Sequence, residues 1–590
     1  MKHFMCVLFI ILLVLSGCSG SGSSDLDYGA TYHEVPDGFD YTVSAGSNNS
    51  FLTANFVDGL MEYNDKGELV NALAGSVKSE ENDTVWTFTI RKGAKWVTSS
   101  GEEYGEVTAD DWVVGLRHAL DEKSDEAYLV RGIINGAAEY MDGTGDFHSV
   151  GIEAVDRYTV KYALEKPYYF PALTVHGILY PINREFFGTK SCALGGKNTE
   201  LCKFGQIGKD GILYNGAYIL SEYNEKGTIV LTKNPDYYDK NKVRHPTVTF
   251  LYDSLEDPHF AMKKFEDGET SYAAIRSDWF KDDYDSYMSK YNGYVLTAMP
   301  DDTLQYLRFV FERTYDGNSE RSAEEAAAVR KALLNKNFRL AILSAFDRSA
   351  FVSPECGDKE LGNLAIRNTI VAEEIKITGE QSYSALLLDK LKGSFLADKD
   401  LLNGKDAFYD PNMSRNYLEL AKEEGVTLPV TLELPVSEDA QDVHRASTFK
   451  NSVETSTNGQ ILIRLVPEGQ DADLSLSGII RPAYNDPASY LENMPFEKIE
   501  DETVREALKI DVYTDLMKAA SDAEDESVRN EKYAETEAWI LSEALIVPVC
   551  ASDAEHYVSR TDRIIHPEFK HGLSGYRLKY TQVTELLQKP

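Results

Sequence analysis

The first eighteen residues constrain the fold most, because they determine which part of the sequence has to fold and in which compartment. A short polar start is followed by an almost wholly apolar run at 4–15 and then by Leu-Ser-Gly-Cys at 15–18. This order of features is typical of a secretory leader. The apolar run is shorter than the roughly 20 residues that a membrane-spanning helix needs. We therefore predict that residues 1–17 are a leader that is removed, and that the rest of the chain folds outside the cytoplasm.

The Leu-Ser-Gly-Cys tetrapeptide matches the lipobox of bacterial lipoproteins, in which the cysteine is acylated and becomes the new N-terminus. Cys18 is then the lipidated residue, and the Ser/Gly run at 19–24 is a flexible tether within a segment, 18–27, that serves as anchor. The alternative is an ordinary leader in which Cys18 is accidental. The lipoprotein interpretation places the protein on the extracytoplasmic face of the bacterial cell membrane, held there by lipid.

Size and charge limit the architecture and the partners that the remaining chain can have. Removal of residues 1–17 from the 590 leaves 573, which exceeds what a single hydrophobic core supports. A hydrophobic content of 43% is enough to build large cores, so a globular chain with at least two lobes is expected. The net charge of −36 disfavours nucleic acid as a partner. Solubility is the simpler explanation of this charge, and attraction of cationic ligands is the functional alternative.

Local patterns predict a mixed α/β chain. Residues 85–90 alternate apolar and polar side chains, which indicates a half-buried strand. Thr108 followed by Asp111 predicts a capping box at the start of a helix. Apolar runs at 430–434 and 461–466, separated by a helical stretch, indicate a β-α-β unit in the C-terminal half.

Four cysteines remain after the leader and the anchor: Cys192, Cys202, Cys356 and Cys550. Cys192 and Cys202 either close a short disulfide or are two free thiols, and spacing alone does not decide between these states. The cysteines lack the paired spacing of a zinc site. Neither a metal nor a cofactor is expected.

Several runs of residues carry a resemblance to a known family. Residues 85–96 read Val-Trp-Thr-Phe-Thr-Ile-Arg-Lys-Gly-Ala-Lys-Trp, and 107–111 read Val-Thr-Ala-Asp-Asp. These runs, with others at 215–218, 233–238 and 338–342, resemble the family 5 extracellular solute-binding proteins of ABC importers. The runs occur in the family's order over nearly the whole mature chain. Details at 101–104 and 334–339 are most similar to the oligopeptide-binding lipoproteins of Gram-positive bacteria.

The resemblance implies an α/β fold, a bilobed periplasmic-binding-protein-like clamp with an extra inserted subdomain in the N-terminal half. It also implies a monomer without catalytic activity that captures an oligopeptide between its lobes and delivers it to an ABC permease driven by ATPase subunits. The implied divisions are 28–65, 190–295 and 553–590 for lobe I, 66–189 for the inserted subdomain, and 296–552 for lobe II.

The chain departs from the family at the most telling site motif, Trp-x-x-Asp-Tyr-x-Asp-Pro. The corresponding stretch, 480–487, reads Ile-Arg-Pro-Ala-Tyr-Asn-Asp-Pro, so Ala483 occupies the place of the carboxylate that binds the α-ammonium group of a peptide. Val310 stands where the family usually has Asn. Either Asp486 or another acid binds the amine, or the ligand has no free amine there, or the ligand differs altogether.

Seven residues are candidates for ligand contact, each with a structural alternative. Turn formation explains the asparagines and Asp486 equally simply, core packing explains the first tyrosine, and a lone histidine is often a structural hydrogen-bonding group. The candidates are Asn48, Asn49, Tyr128, His176, Tyr484, Asn485 and Asp486.

Three other functions remain as alternatives. A hydrolase is disfavoured because the sequence lacks His-Glu-x-x-His, Gly-x-Ser-x-Gly and a Walker-type loop. The same fold could bind a nickel chelate, haem or an oligosaccharide, since fold does not determine ligand. A receptor for a signalling peptide, or an adhesin, would use the same cleft.

Overall fold

A computed structural model describes most of the protein. The described residues are 27–44, 49–196, 201–276, 280, 283–298, 300–313, 321–356, 359–373, 375, 382–492, 494–523, 525–551, 554–561 and 572–586.

Strands and helices are interspersed along the described chain. The strands are β1 Tyr28–Tyr32, β2 Met61–Tyr63, β3 Leu69–Asn71, β4 Ala74–Glu80, β5 Val85–Ile90, β6 Lys95–Val97, β7 Glu103–Glu106, β8 Ile152–Asp156, β9 Thr159–Ala163, β10 Tyr218–Tyr223, β11 Thr228–Lys233, β12 Thr247–Tyr252, β13 Tyr272–Ile275, β14 Leu296–Ala298, β15 Leu304–Phe309, β16 Val430–Val436, β17 Ile461–Pro467, β18 Leu474–Ile480, β19 Ile546–Cys550 and β20 Glu555–Ser559.

The helices complete this framework. The α-helices are α1 Ser50–Phe56, α2 Ala109–Asp121, α3 Ala137–Met141, α4 Arg184–Thr189, α5 Phe260–Glu266, α6 Tyr284–Lys290, α7 Ala323–Leu334, α8 Lys336–Ala345, α9 Arg348–Cys356, α10 Lys359–Ala365, α11 Tyr383–Lys390, α12 Pro411–Glu423, α13 Ala440–Ser456, α14 Ala488–Leu491, α15 Glu502–Leu508, α16 Ile510–Ser521 and α17 Glu526–Glu543. The 3-10 helices are Ala127–Leu129, Phe147–Ser149, Phe170–Val175, Gly177–Leu179, Pro495–Lys498, Gly572–Tyr576 and Leu578–Tyr580.

The strands form small sheets instead of one continuous sheet. Their orders are β1-β12-β11-β10, β4-β5-β9-β8, β13-β20-β14, β18-β15-β19, and the pairs β2-β3, β6-β7 and β16-β17. The predicted β-α-β unit is confirmed, because β16 and β17 pair in parallel and α13 lies between them in the chain. A parallel pair requires such a crossover connection.

The local predictions around β5 and α2 are also confirmed. Trp86, Phe88 and Ile90 are buried, and the alternation places β5 between β4 and β9 with these side chains in the core. Asp111 accepts a hydrogen bond from the backbone N–H of Thr108 at 2.9 Å, which completes the capping box. Burial raises the pKa of Asp111 to about 7, against the lowering effect of hydrogen bonds from Trp96 and Thr108.

Buried apolar side chains form two large cores and a smaller third one. The first core joins residues between 28 and 250 to four residues from later in the chain, Ala483, Tyr484, Leu573 and Leu578. The second core draws on residues between 304 and 554, and the third on residues between 262 and 295 together with Val558. The protein is therefore a bilobed α/β clamp. We refer to the bodies around the first and second cores as the first and second lobes, and the exact domain boundaries stay a prediction.

Cys192 and Cys202 form a disulfide, with their Cα atoms 4.5 Å apart, so the first of the two alternatives from the sequence holds. Among the cysteines whose side chains are described, Cys550 is a free thiol, and it is buried.

A network of charges fastens the C-terminal segment into the first lobe. Arg577 pairs with Asp58, Lys579 donates to Glu62 at 2.6 Å, and the hydroxyl of Tyr237 donates to Asp58 at 2.7 Å. The four charged side chains are at most 2% exposed. Burial alone would raise the pKa of Asp58, but the neighbouring cations and hydrogen bonds lower it below its ordinary value. We call these residues the tail network.

Candidate functional site: the cleft between the lobes

The chain crosses towards the second lobe on two strand pairs that lie next to each other. β14 pairs with β20 on one side of the crossing, and β15 pairs with β19 on the other, both in antiparallel fashion. Only 299–303 and 551–554 separate the strands of one sheet from those of the next. Two short neighbouring connections are the geometry of a hinge, because a few residues can absorb the rotation of one body against the other.

A third crossing follows β18 and brings the family motif into contact with the first lobe. β18 begins in the second core at Leu474, yet Ala483 and Tyr484 are buried in the first. Among described strands β18 pairs only with β15, so it is an edge strand of its sheet. The motif segment thus bridges the two lobes.

His176 makes the central hydrogen bonds of this bridge. Its Nε2 lies 2.7 Å from the carbonyl oxygen of Ala483, and its Nδ1 lies 2.9 Å from Oε1 of Glu126. The backbone N–H of Ile178 donates to the other oxygen of Glu126 at 3.1 Å. Burial alone would lower the pKa of His176, but Glu126 and the Ala483 carbonyl together raise it above its ordinary value. We call Glu126, His176 and Ala483 the histidine bridge.

Asp486 is engaged within the protein. Its carboxylate forms an ion pair with Arg529 of α17 and accepts a hydrogen bond from the backbone N–H of Ala488 at 2.9 Å, at the start of α14. Burial raises the pKa of Asp486 in spite of Arg529. Arg529 thus provides the positive charge that a ligand amine would otherwise supply.

The other predicted residues near the motif differ in exposure. Tyr484 is buried, and its ring packs edge-on against Tyr168 with 5.6 Å between centroids. Asn485 is partly exposed beside it. Tyr128, two residues after Glu126, is 61% exposed and is therefore not the core residue that the alternative interpretation expected. The histidine bridge thus joins the segment that holds Tyr128 to the segment that holds residues 484–486.

Asn49 does not join this group. It is fully buried, and its side-chain amide donates to the carbonyl oxygen of Gly38 at 2.6 Å. That contact fits the turn-forming alternative. Asn48 and Cys18 lie outside the described residues.

Sequence reasoning missed three residues at the crossing: Glu126, Arg481 and Tyr576. Partial desolvation and nearby acids raise the pKa values of Tyr128 and Tyr576, and Arg481 acts to lower both. Arg481 is exposed and lies in the stretch already singled out by the motif. The motif could have drawn attention to it, but nothing in the sequence indicates that residues 128 and 576 lie beside it.

The second lobe also has a cavity of about 280 Å³ at the far end of β15. Its lining includes Val310, Phe311, Phe496 and Lys498. Val310 is the position at which the sequence departs from the family's usual Asn, so an apolar side chain stands there in a lining that also includes Arg308 and Glu312.

Within the described ranges, no cluster of three or more histidine, cysteine, aspartate or glutamate side chains has a geometry that could hold a metal ion. The described helices are all too short or too polar to cross a membrane.

Comparisons with known proteins agree with this architecture. Residues 68–454 match the family described as bacterial extracellular solute-binding proteins, family 5. The oligopeptide-binding protein AmiA of Streptococcus pneumoniae is 31% identical over 589 residues, which cover 91% of this chain and 86% of AmiA. AliA of the same species, also named an oligopeptide-binding protein, is 32% identical over 605 residues, with 94% and 89% covered.

Solved structures share the fold. The peptide-bound OppA of Listeria monocytogenes superposes with a TM-score of 0.66 at 20% identity, covering 96% of this chain and all of that one. The unliganded open form of MppA, the periplasmic murein tripeptide-binding protein, also gives 0.66, at 19% identity and with 96% and 98% covered. The two-lobed clamp, its crossing strands and the matched sequence lead to one conclusion: this chain belongs to the bacterial extracellular solute-binding proteins of family 5, which are binding proteins of ABC importers and not enzymes.

Proposed function

We propose that the protein captures oligopeptides between its two lobes and delivers them to an ABC permease with separate ATPase subunits. The observation that carries the proposal is the extent of the sequence similarity. Relatives named oligopeptide-binding proteins are about 30% identical over more than nine tenths of this chain. Similarity of that length includes both lobes and both crossing strand pairs.

One edge of β18 pairs with no described strand, and this edge provides a physical basis for peptide binding. An extended peptide can add to such an edge as a further strand, with affinity from main-chain hydrogen bonds. Every peptide has this backbone, so the mode tolerates many sequences. β18 runs directly into the histidine bridge, so a peptide along it would contact both lobes.

We further propose that the protein works as a monomer held at the extracytoplasmic face of the cell membrane by lipid on Cys18. A diacylglyceryl group provides the two chains that stable anchoring requires. A Cys18→Ser variant is expected to lose incorporation of labelled palmitate and to move from the membrane fraction to the medium. Retention of the variant in membranes would contradict the anchor.

The first test of ligand identity is to purify the protein natively, denature it and identify the released molecules by mass spectrometry. A heterogeneous set of short peptides is expected, and the spread of their lengths will show whether the ends of the cleft are closed. A metal chelate, haem or a sugar in their place would contradict the peptide proposal and leave the family assignment intact.

A further inference from the structure

Arg481 is an exposed cation at the point where the chain passes from the second lobe to the first. No ion pair or hydrogen bond of its guanidinium group occurs among the described residues. The chain has 96 acidic and 60 basic residues, so a basic side chain has many acids with which it could pair. Arginine has five N–H donors in a planar fork that matches a carboxylate.

The histidine bridge places the backbone segment of Tyr128 beside that of Arg481. Arg481 lies two residues before Ala483, whose carbonyl is bound by His176, and Tyr128 lies two residues after Glu126, which binds the same histidine. The histidine bridge therefore fixes the two backbone segments side by side. The positive charge of Arg481 accordingly acts to lower the pKa of Tyr128, against the raising effects of its surroundings.

The C-terminal segment brings Tyr576 to the same place. A Cβ atom on Gly572 would lie 2.4 Å from the carbonyl oxygen of Val175, so the start of the Gly572–Tyr576 helix packs tightly beside His176. Arg481 lowers the pKa of Tyr576 as it does that of Tyr128. Neither tyrosine hydroxyl has a hydrogen-bond partner among the residues that the structure describes.

The nearby acids keep the two tyrosine hydroxyl groups protonated, so both groups can donate a hydrogen bond. Partial desolvation, Glu126 and Asp125 raise the pKa of Tyr128, while partial desolvation and Asp301 raise that of Tyr576. Both hydroxyls therefore keep their protons at neutral pH. Glu126 itself is occupied, since one of its oxygens binds His176 and the other accepts from Ile178.

We propose that Arg481, Tyr128 and Tyr576 form a binding site for a carboxylate group of the ligand. This deepens the proposed function and rests on it. The guanidinium group binds both oxygens of the carboxylate and the hydroxyls donate to its remaining lone pairs, a charge-assisted arrangement. The carboxylate is either the C-terminal one of a peptide or that of an Asp or Glu side chain, since the two groups have the same chemistry.

The test uses a random-sequence octapeptide pool that is synthesised once with a free C-terminal acid and once as the C-terminal amide. Peptides retained by the purified, ligand-depleted protein are quantified by mass spectrometry. Preference for the acid pool identifies the C-terminal carboxylate. Enrichment of Glu over Gln at one position of the amide pool identifies a side chain. The best retained peptide and its neutral counterpart are then titrated by calorimetry.

Substitutions assign the preference to the proposed site. Arg481→Gln is expected to weaken binding of the acidic peptide by about tenfold to a hundredfold, as for loss of a charge-assisted hydrogen bond, and to leave binding of the neutral peptide nearly unchanged. Tyr128→Phe and Tyr576→Phe are each expected to weaken acidic-peptide binding by roughly two- to tenfold. Arg244→Gln removes an exposed arginine of the first lobe outside the cluster and is the matched control, with less than about a twofold effect.

Three results would overturn the inference. Equal retention of acidic and neutral peptides by the unmodified protein would remove the carboxylate preference and leave the peptide-binding function in place. Equal loss of both peptides in Arg481→Gln would make Arg481 a structural residue. Retention of no peptide from either pool would contradict the proposed function, and the inference with it.

Discussion

Two junctions join distant parts of this chain, and they are built differently. The tail network fastens residues near 577 to residues near 58 with four charges that are almost completely buried. The histidine bridge joins the lobes with one hydrogen bond to a backbone carbonyl, and a partly exposed ion pair, Arg529 with Asp486, lies beside it.

The number of buried charges determines which junction can open. Separating the tail network would leave several charges buried without partners, a cost that holds the segment permanently in place. Opening the histidine bridge exposes one histidine and one carbonyl, which water can hydrate, together with the apolar contact of Tyr484 with Tyr168. A clamp needs one junction of each kind: a permanent one inside a lobe and a reversible one between lobes.

The largest expected effect tests the permanent junction. Arg577→Met leaves Asp58 and Glu62 buried with less compensation, so the free energy of unfolding of the first lobe is expected to fall by about 3–5 kcal/mol. Urea denaturation followed by circular dichroism measures it. Arg131→Met, at an exposed pair with Asp142, is the control and should unfold at the urea concentration of the unmodified protein. Equal midpoints for the two variants would refute the contrast between the junctions.

The disulfide is a covalent junction, and its contribution to stability can be compared with that of the tail network. Replacing both Cys192 and Cys202 by Ser opens a loop with a sequence separation of 10, which predicts a loss of about 2–3 kcal/mol in unfolding free energy. Reduction of the unmodified protein with dithiothreitol should give the same loss. Peptide affinity is expected to stay constant, and a change in affinity would link the loop to the cleft.

A smaller effect is expected at the ion pair beside the bridge. Arg529→Met leaves the Asp486 carboxylate with its hydrogen bond from Ala488 but without its cation. The free energy that holds the two lobes together is therefore expected to fall by about 1–3 kcal/mol. Small-angle scattering should show a larger radius of gyration for the unliganded variant. An unchanged radius, together with lower stability of the second lobe alone, would show that the pair serves α17 and not the cleft.

The smallest expected effect is a change in the stability of the histidine bridge with pH. The pKa of His176 is raised in the folded protein, so its charged form stabilises the bridge fully below its ordinary pKa of about 6.5. That stabilisation is lost as pH rises through the raised pKa. His176→Gln keeps a donor for Ala483 without the charge, so the two proteins should differ by about 1 kcal/mol at acidic pH and converge at alkaline pH. Scattering or unfolding curves that stay parallel from pH 5 to 9 would contradict a charged bridge.

Local features of the fold could be predicted from the sequence, and contacts across the chain could not. The strand at β5 and the capping box at Thr108 depend on neighbouring residues, so their patterns sufficed. The sequence did not decide whether Cys192 and Cys202 form a disulfide. The bond depends on the distance between the two Cα atoms, which the spacing of the residues along the chain does not give.

The candidate site depends on still longer separations. His176 and Ala483 are 307 positions apart, and no local pattern reports that contact. A sequence does not distinguish one exposed arginine from another. Arg481 became a candidate binding residue only because the structure places the segments of Tyr128 and Tyr576 near it. Asn49 is a turn-type residue by its sequence, and only the structure shows that its side chain is buried and donates to the carbonyl oxygen of Gly38.

The placement of Leu573, Arg577 and Leu578 also determines the order in which the protein can fold during synthesis. The first lobe begins at residue 28 but cannot complete its core until these last residues have been made. The second lobe takes its core from one nearly continuous stretch between 304 and 554 and can close earlier. The half of the protein that the ribosome makes first is therefore the half that finishes last, and it must stay incomplete while some three hundred residues are added.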